Sequence, residues 1–190
     1  MQALEGLRVQ ARANRLANRR LHAAMAALPD ADFHAPRTGF FPSLAATLNH
    51  VLEVDGYYIG ALAGEADLYG HWDRFVPAKT LAELASRQAA SDERLIALVD
   101  AMDEAASERI VEMPRRDHVQ RDRAAFVLLH LFMHQTHHRG QAHGMLSGTA
   151  VAPPQLDEFL MPSDAPLRRA DMAALGWDEA LVYGRPPAGP

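Results

Sequence analysis

Apolar positions recur at 3-4 spacing in four long stretches of the chain. In residues 3–28, Leu4, Leu7, Ala11, Asn14, Asn18, Leu21, Met25 and Leu28 share one helical face. The two asparagines on that stripe either bond to one another or to backbone inside a bundle, or they line a polar pocket. Pro29-Asp30 ends the helix. A loop over 31–42 carries Phe33, Phe40, Phe41 and Pro42. Ser43 is a suitable N-cap for a second helix over 44–63, and Gly64 stops it. Leu44, Leu48, Val51, Leu52, Ile59 and Leu62 form its broad apolar face, with Thr47, His50 and Val54 on an adjoining stripe.

A connection over 64–80 contains Tyr69, His71, Trp72, Phe75 and Pro77. Thr80 and Glu83 then make a capping box for a third helix running to about Met102. Leu84, Gln88, Ser91, Leu95, Leu98 and Met102 mark its inner side. Residues 106–122 read as a short hairpin or an irregular crossover. The fourth helix covers about 122–146, with Ala124, Val127, Leu131, His134, His138, Gln141 and Met145 in phase and Gly148 as a stop. Each apolar stripe must be covered by another, so the expected fold is all-α: a four-helix bundle within residues 1–149. Residues 150–190 read as an irregular covering segment of the same single domain, 1–190. In it, Leu156, Phe159 and Leu160 are docking points, 170–175 and 178–182 form short helical turns, and the GRPPAGP end frays.

Composition narrows the class. The 190 residues are 48% apolar and 23% charged, an ordinary globular balance. The 19 basic residues are outnumbered by 24 acidic ones, and no basic tract stands out, which argues against nucleic acid as a partner. The eight acids between Leu81 and Glu112 read as a solvated helix face. With no cysteine, thiolate nucleophiles and thiolate ligands are excluded, and the chain suits a reducing, cytoplasmic compartment. The start of the chain lacks the apolar run of a signal peptide, and no apolar stretch has the length of a membrane span.

Histidine changes the picture. Of ten, His130, His134, His137, His138 and His143 fall in one short window. His134 and His138 lie four apart, so a helix stacks them about 6 Å apart between Cβ atoms. Both lie on the inward stripe, where an unpaired imidazole is costly and a metal ion would satisfy the facing nitrogens. The alternative is a pair of core or surface histidines with ordinary hydrogen bonds. A third ligand must come from another helix, and His50 is the best placed. Three neutral histidines leave coordination positions open, the arrangement of a reactive site. Gln135 stands where a zinc peptidase carries its glutamate, so peptidase chemistry is unsupported.

His137 points about 100° away from His138, toward a partner helix or solvent; His130, one turn before His134, can hydrogen-bond near the site or ligate, and His143 is half a turn out of phase with His134. Glu53 and Asp55 follow His50 and are the candidate catalytic bases; either can instead support a ligand from behind or form a salt bridge. Arg139 either holds an anionic group of a substrate or cofactor or pairs with an acid. Gln141 either holds a ligand or satisfies a helix interface. Gly140 suggests close helix packing. Tyr57, Tyr58, Phe40, Phe41 and Trp72 either wall a cavity or fill the core.

Three segments carry a family resemblance. They are Ala13-Asn14-Arg15-Leu16-Ala17-Asn18-Arg19-Arg20-Leu21, then Thr47-Leu48-Asn49-His50-Val51-Leu52 with Asp55, and then His134-Gln135-Thr136-His137-His138-Arg139-Gly140-Gln141. Over roughly residues 1–160 the chain resembles the DinB/YfiT-like family of metal-dependent bacterial proteins. The resemblance implies an up-down-down-up four-helix bundle, commonly a homodimer, with one divalent ion, zinc or nickel, on His50, His134 and His138. Some relatives resemble transferases or isomerases that use a low-molecular-weight thiol. The leading expectation is therefore a divalent-metal-dependent enzyme transferring such a thiol to a small electrophilic substrate. The alternatives are a hydrolase using metal-activated water, or a nonenzymatic metal-stabilised stress-response protein.

Overall fold

The computed structural model describes residues 3–184. Four long helices, α1 (Ala3–Met25), α3 (Leu44–Ala63), α5 (Leu81–Asp100) and α7 (Ala124–Leu146), carry the core. Both α1 and α3 pack against α5 and α7, so α1 lies diagonally across the bundle from α3, and α5 from α7. Cross-helix bonds give the registers. Arg12 of α1 meets Asp100 of α5 and Asn18 meets Asp92. Along α3, Thr47 meets Met145 of α7, His50 meets His134 and Tyr58 meets His130.

Helix boundaries follow their caps. Ser43 Oγ accepts from Ala46 N at 3.1 Å, and Gly64 ends α3 with φ +76°. Thr80 Oγ1 accepts from Glu83 N, while the Glu83 carboxylate takes the N–H of Lys79 rather than that of Thr80. The loop expected at 31–42 begins with a short helix, α2 (Asp30–His34), which places Phe33 in the core. A second, α4 (His71–Arg74), interrupts the connection to α5, and α6 (Glu104–Glu108) precedes the hairpin. That hairpin is present: β1 (Ile110–Pro114) pairs antiparallel with β2 (Val119–Arg123), so α7 begins at Ala124 rather than Asp122.

One expectation about α5 needs correction. Its inner stripe runs through Leu84, Gln88, Asp92, Leu95 and Val99, with Ser91 and Leu98 only half-buried. The acidic run is therefore not all solvated face, because Asp92 is 1% exposed. The covering segment is also more regular than expected. A 3-10 turn (Pro162–Asp164) leads into α8 (Ala165–Leu175) and α9 (Glu179–Tyr183). Phe159, Met172 and Val182 cover a second face of α1 formed by Ala13, Leu16 and Ala17. Leu160 stays exposed. Arg168 is fully buried, ion-paired with Glu179, and donates to the carbonyls of Glu158 and Met161. Arg19 and Arg20 of α1 clamp Asp171. Apart from Gly184, the expected frayed end lies outside the described residues. Among those residues, no helix is long and apolar enough to cross a membrane.

Candidate metal centre

His50 comes from the middle of α3, and His134 and His138 from successive turns of α7. The tight α3–α7 packing brings the two helices' histidines together. One nitrogen from each ring lies within 4.8 Å of the others, and His50 Nε2 is 3.1 Å from His134 Nε2. The ring centroids are 4.5–5.0 Å apart. Phe41 packs on His50 and His138 at 4.5 and 5.6 Å, shielding one side.

Burial and mutual repulsion keep these rings uncharged. Desolvation, then the neighbouring His138, holds His50 down to about 4. Desolvation, reinforced by His138, His50, His130 and His137, holds His134 down to about 3. His138 is lowered by burial and partly restored by Gln141. At neutral pH all three offer lone pairs, the form a divalent ion requires. Gln141 Oε1 lies 2.8 Å from His138 Nδ1 and fits as acceptor of its N–H, which leaves Nε2 unprotonated for a metal. The donor set therefore fits a borderline divalent cation held by three imidazoles.

Beside His50 opens a cavity of about 860 Å³ whose lining includes Phe41, His50, Glu53 and the irregular run Phe75–Lys79. Asn49 fixes that wall: its side chain donates to Ala78 O at 3.1 Å and accepts from Ala78 N at 2.7 Å. Glu53 is half-buried, and desolvation raises its carboxyl above the ordinary range, against the opposing charge of His71. His71 in turn reaches the Glu53 carbonyl at 2.8 Å.

The other candidates fall elsewhere. Asp55 is fully buried, and its Oδ2 accepts from Gln88 Nε2 at 2.7 Å. Burial raises its carboxyl to about 6, opposed by Gln88, Gln135 and Arg139. Arg139 is also buried and donates to Asn14 Oδ1 at 2.6 Å and Asn18 Oδ1 at 2.8 Å. Burial lowers it to about 10, opposed by Asp92 and Asp55, so it stays charged at neutral pH. Asn14 and Asn18 thus bond across the bundle, to Arg139 and Asp92, rather than to one another. Burial, then the charge of Asp55, raises Asp92 to about 7. His137 is exposed and touches Gln141, while His143 bonds the Pro154 carbonyl. Tyr57 and Tyr58 are core, Phe40 is exposed, and Phe41 alone of the five aromatics meets the triad. An added Cβ at Gly140 would meet nothing within 4 Å, so close packing is not its role.

Sequence reading missed Asp92. Its signal was the i, i+4 series Leu84–Gln88–Asp92, hidden by the density of acids around it. It also missed the Phe75–Lys79 wall, which no periodicity marks.

The class the structure defines is a helical bundle with a three-histidine cluster between two of its helices that could hold a metal ion. The DinB family model matches residues 4–170, and the chain belongs to the DinB family. No curated protein matches the chain.

Proposed function

We propose that the protein is a divalent-metal-dependent enzyme that transfers a low-molecular-weight thiol to a small electrophilic substrate. Zinc or nickel would be held by His50, His134 and His138. The observation that carries this reading is the convergence of three uncharged imidazoles beside an open cavity that also presents Glu53. A divalent ion there supplies positive charge that favours thiolate over thiol.

The chain's own residues do the rest. Gln141 holds His138 in one tautomer and orientation. Phe41 and the Phe75–Lys79 wall give the thiol an apolar surface to lie against. Glu53, with its raised proton affinity, accepts the thiol proton. The sulfur then forms a bond to the electrophilic carbon, and the leaving group departs with its electron pair.

The wider reading is a cytoplasmic homodimer built on an up-down-down-up bundle. The helix order is supported by the registers. Partners on α5 fall in number as those on α1 rise, as do partners on α7 along α3. From α3 into the turn after it, by contrast, α5 partners rise, from Gln88 opposite Asp55 to Arg94 opposite Glu65. The dimer is supported by the exposed apolar side chains Leu129 and Met133 on α7.

The test is turnover of 1-chloro-2,4-dinitrobenzene by zinc- or nickel-loaded protein with a panel of small thiols. Thiol-dependent product is expected, lost in His134→Ala and reduced about 10²–10⁴-fold in Glu53→Gln. A metal-loaded, folded protein that turns over no thiol would overturn the reading.

A further inference from the structure

A second cavity, of about 290 Å³, opens between the hairpin and α7. Its rim includes His130, one helical turn before His134, but none of the three metal-site histidines lines it. Buried Met113 and Val127 make its floor apolar, exposed Phe126 adds an aromatic face, and the walls carry Arg115, Gln120 and Asp122.

Gln120 holds two opposite charges apart. Its Oε1 accepts from Arg115 Nε at 3.1 Å and Nη2 at 2.9 Å, while its Nε2 donates to Asp122 Oδ2 at 2.6 Å. Arg115 Nη2 also donates to Tyr58 OH at 3.0 Å, and the guanidinium lies over the rings of Tyr57 and Tyr58. The guanidinium is therefore fixed in place. Two arginines of the second strand are ion-paired, Arg121 with Glu112 and Arg123 with Glu108. Among the described residues neither Arg115 nor Asp122 has an ion-pair partner, although they line the same cavity. Arg115 Nη1 makes no hydrogen bond there either, so two N–H groups remain for a ligand.

A simple anion in this cavity meets the charge of Asp122, and a simple cation meets that of Arg115. A molecule carrying both charges satisfies both walls, since a carboxylate suits a guanidinium and an ammonium suits a carboxylate. The cavity is at the small end for ligand sites, the size of one amino acid rather than a peptide. We propose that it binds the zwitterionic head of a small apolar α-amino acid, with the carboxylate on Arg115, the ammonium on Asp122 and the side chain over Met113, Phe126 and Val127. The site stands independently of the metal centre.

The test is calorimetric titration of the full chain with L-methionine, L-methioninamide and N-acetyl-L-methionine. L-Methionine is expected to bind at least about tenfold more tightly than either derivative, each of which loses one charged contact. Arg115→Gln should lose that binding, and Arg115→Lys should retain part of it. Asp122→Asn should narrow the gap between L-methionine and its N-acetyl form. Circular dichroism establishes that each variant is folded, and His134→Ala should bind like the parent. Three results would overturn the site: no L-methionine binding up to about 10 mM, equal binding of the N-acetyl form, or binding unchanged in folded Arg115→Gln. Loss of binding in folded His134→Ala would assign it to the metal centre instead, with the same consequence.

Discussion

Two polar regions lie side by side inside this bundle, and α7 supplies both from adjacent residues. His134 and His138 meet His50, while their neighbours Gln135 and Arg139 are buried in the core with Asn14, Asn18, Asp55, Gln88 and Asp92. In the core network, most donors meet acceptors. Arg139 serves both asparagines, the asparagines serve Asp92, and Gln88 bridges the two carboxylates. In the triad, lone pairs converge with too few donors. A polar cluster that supplies its own partners holds helices together, whereas one that leaves lone pairs aimed at a common point awaits a cation. His134 Nδ1 of the triad is buried without a hydrogen-bond partner, and within the network the exceptions are Asp55 Oδ1 and the Gln135 side-chain amide.

The contrast is broken most severely by Arg139→Met. It strips the network of its cation and leaves two buried carboxylates facing each other, so unfolding free energy should fall by about 3–5 kcal/mol in urea titration. His134→Ala should be much milder in metal-free protein. Equal losses from the two variants would mean that the regions are not distinct in kind.

The second effect is on pH dependence. Asp92 titrates near 7 in the folded protein, against an ordinary value near 3.8. Folding therefore favours its protonated form. The contribution is fully present below about pH 4 and is lost as pH rises through about 7. The stability of Asp92→Asn relative to the parent should thus climb between about pH 4 and 7, by at most about 1.4 kcal/mol per pH unit. It should level off above that range. Denaturation midpoints across pH read this out, and a flat difference would place the proton elsewhere.

A smaller change should act on the triad alone. Gln141→Leu removes the acceptor on His138 Nδ1, and zinc affinity measured by chelator competition should drop about 10–100-fold with the fold intact. Unchanged affinity would make Gln141 a surface residue rather than an orienting one. Least of all, Gly140→Ala should stabilise by about 0.5–1 kcal/mol, because the position is helical and a methyl meets open space. Destabilisation would show that another surface covers this part of α7.

The two regions were not equally legible in the sequence. The triad could be read because His134 and His138 repeat at helical spacing and histidine is an uncommon residue to place inward; with His50 from α3 they converge. The helices were legible through Ser43, Gly64 and Thr80, whose side chains or backbone freedom act within a few residues. The core network was not. Asp92 looks like any surface acid until Arg139, Asn14 and Asn18 arrive from helices far away in the chain. Arg139 and Asp55, adjacent in sequence to the site or near it, turn inward to that network because α7 and α3 each present two faces to neighbours. Glu53 and Asp55 are two residues apart, and only Glu53 reaches the cavity. Periodicity finds a buried stripe but not the partners that make a charge on it tolerable.

The central claim is that His50, His134 and His138 hold one divalent ion. The most direct test is elemental analysis of protein purified without an affinity tag or added metal, beside His50→Ala and His134→Ala. The account predicts near-stoichiometric zinc or nickel in the parent and its loss from both variants while they remain folded. Parent protein that holds no metal, even after reconstitution with zinc, nickel, manganese or iron, would contradict it.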